Sequence, residues 1–145
     1  LESSLLMGFD GNHRFSSVSS SKVAKSLKLN KNEKLLNDLE ELSLKGIELI
    51  GQGADIDKNA EVTKMCRDIK LVLNDDIHDR NTMELIEETE KAGSLCTRVM
   101  GAGGGGFFAC WAPANKHERI KESVKIKTWV NVRFSNSGCQ MIFNE

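Results

Sequence analysis

Five glycines fall within six residues at Gly101-Ala102-Gly103-Gly104-Gly105-Gly106. Glycine loses more conformational freedom on folding than any other residue, so a run this dense is costly to order. It suits a place where backbone approaches a ligand closely, or where successive residues need unusual φ. Consecutive N–H groups there can form a concave nest for an anion such as a phosphate. The string contains GxGxxG at Gly101, Gly103 and Gly106. A dinucleotide-binding version must open a helix whose N-terminus faces the pyrophosphate. Here FFACWAP comes next, which reads as a strand stopped by a proline, so a Rossmann site is excluded. A P-loop needs Lys and then Ser or Thr after the last glycine, for phosphate and Mg²⁺. Phe107 and Phe108 stand there instead. Two readings stay open from the string alone: a loop against a phosphate-bearing ligand, and a hairpin connection with no ligand.

Other side chains offer less. Arg14 comes after a tight turn at Asp10–Asn12, with Ser16 and Ser17 just beyond it. An Arg fork matches phosphate oxygens, although a solvated Arg at a helix start is the commoner case. His13, His78 and His117 are scattered through polar segments and read as surface residues. Glu40-Glu41 and Glu87-Glu88 lie on helical stretches as solvated faces, not as an acid–base pair. Trp111 and Trp129 alternate within strands and suit packing better than stacking on a ligand. Cys66, Cys96, Cys110 and Cys139 form no CxxC pair, which argues against a zinc or dithiol site. In runs such as LCTRVM, FFACWA and GCQMIF they read as buried reduced thiols, which places the protein in the cytoplasm.

The elements that must position the loop can be read from periodicity. Ser4–Phe9 is a short apolar run bounded by turn residues, hence a buried strand. A short helix is expected near Ser20–Leu29. Asn30 and Glu33 resemble a capping box, and Leu35, Leu36, Leu39, Leu42, Ile47 and Ile50 then trace one face of a long helix closed by Gly51 and Gly53. Asp57–Leu73 carries the cleanest helical stripe, through Val62, Met65, Cys66, Ile69, Val72 and Leu73. Thr82–Ala92 is a further helix, with Met83, Leu85 and Ile86 inward and Gly93 as its cap. The pattern then changes to strands at Leu95–Met100, Phe107–Ala112, Thr128–Phe134 and Cys139–Phe143, with a helix at Asn115–Val124. In that helix Ile120 and Val124 face inward. In Thr128–Phe134 the alternation puts Val130, Val132 and Phe134 on one face. The expected fold is therefore α+β: an open antiparallel sheet of about five strands with helices on one face and a helical insertion.

Length and composition agree with one domain and one core, since the chain has 145 residues, of which 39% are hydrophobic and 28% charged. The formal net charge of −1 supplies no footprint for nucleic acid or an anionic membrane. No stretch approaches the length of a membrane span, and LESSLLMGFD is not a signal peptide. A start at Leu1 hints at a piece of something longer.

With these residues in view, KAGSLCTRVMGAGGGGFFACWAP resembles the third conserved motif of the galactokinase, homoserine kinase, mevalonate kinase and phosphomevalonate kinase (GHMP) superfamily. That motif typically reads G-A-K-x-S-G-A-G-G-G-G before an apolar strand. The subgroup it most resembles acts on D-glycero-D-manno-heptose 7-phosphate. LLMGFDGNHRFSS is similar to the strand and turn that open the second half of those kinases, and VRFSNSGCQMI to their closing hairpin. The family's Lys falls on Arg98 and its Ser on Met100. The first change keeps the charge but alters its geometry, and the second removes a hydroxyl.

The resemblance implies a ferredoxin-like C-terminal domain over residues 1–145, half of an ATP-dependent phosphotransferase acting on a sugar hydroxyl. It places the Gly101–Gly106 loop near the nucleotide phosphates, and Arg14, Ser16 and Arg98 toward the substrate. ATP and Mg²⁺ would be bound mainly by an N-terminal half, because the superfamily's PxxxGLGSSA phosphate loop is nowhere in this chain. The chain would hold no catalytic residue and no metal ligand, and alone would be inactive. Its partners would be that N-terminal half and a sugar phosphate, with a homodimer as the candidate assembly. The competing expectations are a stand-alone, non-catalytic ligand-binding or regulatory domain of the same shape, or half of another GHMP kinase.

Overall fold

Alternation in the first strand sets the sheet. In the computed structural model, which describes residues 1–11, 32–73, 80–101, 106–135 and 137–138, strand β1 spans Leu5–Phe9 and buries Leu6 and Gly8. Three helices come after it: α1 (Glu33–Gly51), α2 (Ile56–Leu73) and α3 (Arg80–Ala92). Strands β2 (Cys96–Val99) and β3 (Phe107–Trp111) come next. A 3₁₀ turn at Ala114–Lys116 leads into α4 (His117–Ser123) and then β4 (Thr128–Val130). The sheet order is β2-β3-β1-β4 and every pairing is antiparallel. This is the β-α-β-β-α-β plan of a ferredoxin-like fold, with α1 and α2 as the helical insertion. The α+β expectation holds.

One face of the sheet makes the core. Leu6, Val99, Phe108 and Cys110 meet Leu85 and Ala92 of α3, Ile120 of α4, and Val124 beyond it, with Ile126 and Trp129 packed alongside. Gly8 is the tight point. It pairs with Phe108 on one side and Trp129 on the other, and those two rings meet edge to face with centroids 5.6 Å apart. A Cβ at Gly8 would lie 2.5 Å from Phe108 Cζ and 3.0 Å from Trp129 Cζ3. The missing side chain is what lets both rings sit over β1.

That register corrects the reading of the last strand. The stretch expected as Thr128–Phe134 ends at Val130, and Trp129 is its inward residue, while Val130 and Phe134 are exposed. Val130 faces away because the space above Gly8 suits a ring. The strand expected at Cys139–Phe143 and the helix expected near Ser20–Leu29 lie outside the described residues, so four strands are described rather than about five. His117, expected at the surface, is half-buried with Nε2 3.0 Å from the Ala112 carbonyl oxygen.

The helical stripes also needed tertiary context. In α1 only Leu42 is fully buried, while Leu36, Leu44, Ile47 and Ile50 are exposed. Asn30 is outside the described residues, and Asn32, at the N-cap position, makes no side-chain cap bond. In α2 the buried residues are Asn59, Ala60, Val62 and Arg67, while Met65 and Val72 are exposed. In α3, Leu85 and Ile86 are inward as expected, joined by Thr82, Thr89 and Ala92, and Met83 faces out. The end of α3 closes as expected around Gly93, with Gly93 N–H donating to the Glu90 carbonyl and Ser94 N–H to the Thr89 carbonyl.

Polar contacts tie α2 and α3 to β2. β2 is an edge strand, and an edge presents unpaired N–H and C=O groups. Thr97 N–H donates to Glu90 Oε1 at 3.0 Å, and Arg67 Nη1 donates to the Thr97 carbonyl oxygen at 2.9 Å. Arg67 and Glu90 are themselves ion-paired. The pair stands where a fifth strand would pair with β2. On the core side, Thr97 Oγ1 lies within hydrogen-bonding distance of Thr89 Oγ1 (2.8 Å), Ser94 Oγ (3.0 Å) and Cys110 Sγ (3.3 Å), its one proton serving one of these neighbours at a time.

Candidate functional site

The glycine loop joins the C-terminal end of β2 to the start of β3, so hairpin pairing fixes both of its ends. Met100 N–H donates to the Phe107 carbonyl oxygen at 2.8 Å, one step beyond the strands. Gly101 and Gly106 then take φ of +70° and +99°. L side chains rarely adopt these angles, so both ends of the loop need glycine for conformation alone. Ala102, Gly103, Gly104 and Gly105 lie outside the described residues, as do Arg14 and Ser16.

Asp10 ties this loop to a second segment. Its N–H donates to the Gly106 carbonyl oxygen at 3.0 Å, and its Oδ1 accepts the Gly106 N–H at 2.8 Å. The turn leaving β1 and the close of the glycine loop are thereby held together at one end of the sheet. The Phe9 and Phe107 rings, 4.9 Å apart between centroids, pack just beneath. β4 begins at the same end, since Thr128 pairs with Phe9. The structure thus gathers Asp10, Gly101 and Gly106, on elements far apart in sequence, into one rim. Sequence reasoning marks Asp10 only as a turn residue and misses this role. The signal for more is an Asx side chain directly after a strand, a type that caps nearby backbone N–H groups.

Arg98 sits on β2 between Thr97 and Val99, which face the core, so its half-buried side chain leaves from the opposite face. Lys70 on α2 is also half-buried. Lys70 has its pKa lowered, first by burial and then by the charge of Arg98.

The two buried thiols offer no nucleophile here. Cys96 and Cys110 are free and buried, and Cys66 is free and half-buried. Burial pushes the Cys96 thiol up to about 12 and raises that of Cys110 as well. Both are thiols, not thiolates, near neutral pH. Among the described residues no group of three or more His, Cys, Asp or Glu side chains could hold a metal ion. No described helix is long and apolar enough to cross a membrane.

No family model matches the chain, and no curated protein matches it. Solved structures do. L. major mevalonate kinase, in complex with R-mevalonate, aligns with TM-score 0.75 at 15% identity over 86% of this chain and 41% of that one. Streptococcus pneumoniae phosphomevalonate kinase, in complex with phosphomevalonate and AMPPNP, aligns with TM-score 0.67 at 18% identity over 88% of this chain and 39% of that one. Methanococcus jannaschii mevalonate kinase aligns with TM-score 0.62 at 15% identity over 89% and 39%. The chain spans about two fifths of the length of these kinases. At this identity the likeness speaks for the backbone: the chain has the fold of one part of the GHMP kinases.

Proposed function

We propose that residues 1–145 are the C-terminal domain of an ATP-dependent GHMP-superfamily kinase whose acceptor is a sugar phosphate of the heptose 7-phosphate kind. The observation that carries the reading is the glycine loop itself. It has two ends held at positive φ, is tied back to Asp10, and stands on a sheet of the fold found in mevalonate and phosphomevalonate kinases. A connector with no ligand has no need of so many glycines.

Phosphoryl transfer breaks the bond between the γ-phosphorus and the oxygen that leaves with ADP, and forms one to the acceptor hydroxyl oxygen. Catalysis of this step is mostly positioning and charge stabilisation. Mg²⁺, held by the other half of such an enzyme, would neutralise charge on the phosphate oxygens. This chain's own contribution would be a wall of backbone N–H donors, pre-set by Gly101, Gly106 and Asp10, around the transferring group. Arg98 would face the acceptor. The hydroxyl proton would leave to a base in the other half, since among the described residues the rim carries no side chain suited to that role beyond Asp10, whose Oδ1 already accepts the Gly106 N–H.

The test is the complete reading frame. Its upstream part is expected to contain PxxxGLGSSA, and its product to release ADP with heptose 7-phosphate in a coupled assay. The 145-residue chain alone is expected to show no turnover. Mevalonate and phosphomevalonate belong in the same assay, because solved structures of this fold hold them. Preference for either would redirect the acceptor assignment. No turnover with any acceptor would favour the non-catalytic regulatory domain.

A further inference from the structure

At the end of the sheet opposite the glycine rim, three segments far apart in sequence close around a cleft of about 550 Å³. Small-molecule sites have volumes of roughly 300–1,000 Å³. The first wall is the 3₁₀ turn Glu2–Ser4 with Leu5, where β1 opens. The second is α4, through His117 and Lys121, which stand one helical turn apart on the same face. The third is the chain leaving β4, from Val130 to Arg133. Val130 pairs antiparallel with Met7, so the residues after it run toward Leu5 and away from Phe9. About 13 Å of strand separates Leu5 from Phe9 and the rim.

Hydrogen bonds hold these walls together. The Glu2 carboxylate accepts the Phe134 N–H. The Ala112 N–H donates to the Ser4 carbonyl oxygen at 2.9 Å, and the Ala112 carbonyl oxygen lies 3.0 Å from His117 Nε2. A carbonyl only accepts, so Nε2 carries a proton. Leu5, His117, Lys121 and Val132 are half-buried, so the cleft is partly dry. Its lining carries two fixed cations, Lys121 and Arg133, against one carboxylate, Glu2. Lys121 is bridged to Glu118 at 2.8 Å, but the Glu118 side chain is 80% exposed, and an exposed bridge of this kind is readily exchanged. Among the described residues Arg133 has no carboxylate partner. Leu5, Val130 and Val132 supply an aliphatic side. The cleft is thus electropositive with one apolar wall, which is the combination that orients a small ligand.

We propose that this cleft binds a small organic dianion, a dicarboxylate or a phosphate monoester carried on a short aliphatic body. Arg133 forks onto the anionic oxygens. Lys121 exchanges Glu118 for the ligand, and the aliphatic body lies along Leu5 and Val130. A ligand there fastens the turn before β1 to the segment after β4. Such a site is independent of the kinase reading.

The experiment titrates the isotope-labelled 145-residue chain with glutarate, glycerol 3-phosphate and inorganic phosphate, followed by amide chemical shifts. Saturable shifts are expected at Leu5, His117, Lys121 and Arg133, with Gly101 and Gly106 unmoved. At least one of the two organic anions should bind about threefold or more tighter than inorganic phosphate, the scale of burying a methylene group. Whichever binds tighter identifies the headgroup. Lys121→Gln and Arg133→Gln should each weaken that binding by about five- to tenfold, the scale of a charge-assisted hydrogen bond at a half-exposed site. Lys121→Arg keeps the charge and should retain binding. Glu2→Gln keeps an acceptor for the Phe134 N–H while removing the negative charge of the lining, so it should tighten dianion binding; a residue that only braced the fold would not.

Absence of saturable shifts at the cleft with all three anions overturns the proposal, as does unchanged affinity in Arg133→Gln. Shifts centred on Gly101 and Gly106 would assign the anion to the rim and refute the cleft. Inorganic phosphate binding as tightly as both organic anions would refute the aliphatic wall, and with it the organic ligand.

Discussion

Replacing Arg67 by Met tests how the edge of β2 is held. Arg67 is only 8% exposed, and its guanidinium serves both the Thr97 carbonyl and Glu90. Removing one partner of a buried ion pair typically costs about 3–5 kcal/mol, because the other charge stays behind unpaired. Glu90 keeps some access to water, its side chain being 24% exposed, and it still accepts the Thr97 N–H. That argues for the low end, about 3 kcal/mol, a large part of the roughly 5–15 kcal/mol that holds a domain folded. For a chain of this size the melting temperature should fall by roughly 6–12 °C. Urea unfolding followed by circular dichroism measures it, with the m-value expected to stay constant. Glu90→Gln in the same chain keeps an acceptor for Thr97 but removes the stranded charge. The double variant should therefore lose less than the sum of the singles, by about 1 kcal/mol or more. A loss below about 1 kcal/mol in Arg67→Met would mean the pair is screened like a surface bridge. Strict additivity would show that Arg67 and Glu90 act separately. Either result would refute the idea that they substitute for a neighbouring strand.

Three further outcomes are expected. Gly8→Ala drives a Cβ into Phe108 and Trp129, and overpacking plus loss of their edge-to-face contact should cost about 2–4 kcal/mol in urea unfolding; wild-type stability would show that the rings can move aside. Gly104→Val in the complete enzyme should lower kcat/KM on the order of 10²-fold, about 2.7 kcal/mol of transition-state stabilisation, with the melting temperature of this chain little changed; full activity would reduce the loop to a connector. Cys96 is held protonated up to about 12 in the folded chain, against an ordinary value of 9.0. Below pH 9 it therefore contributes no pH dependence, and above it the unfolded chain binds fewer protons, so stability should fall by up to about 1.4 kcal/mol per pH unit. Cys96→Ala should flatten that slope between about pH 9 and 10.5, and an unaltered slope would locate the dependence elsewhere.

Much of the fold was legible because its signals are local. Strand periodicity, the Gly93 cap and the proline after FFACWA bracket β2, β3 and α4 to within a residue or two. The glycine loop could be told from a Rossmann or P-loop site by the apolar strand residues after Gly106, since a strand cannot offer a helix N-terminus to a phosphate. The apolar stripes were less reliable. Met65 and Val72 fit the helical period yet face solvent, while Arg67, which breaks it, is buried. A periodic pattern reports which residues could share a face, not which face finds a neighbour.

The chain order of hydrophobic and turn residues by itself determined the element sequence, the hairpin that carries the glycine loop, and the need for glycine where that loop leaves and re-enters the sheet. Only the tertiary structure decided that Asp10 closes the loop from 96 residues away, and that Trp129 rather than Val130 enters the core over Gly8. Each of these depends on register and packing between distant segments. Strand register is chosen by which side chains fit together across the sheet, and no local stretch of sequence contains that information.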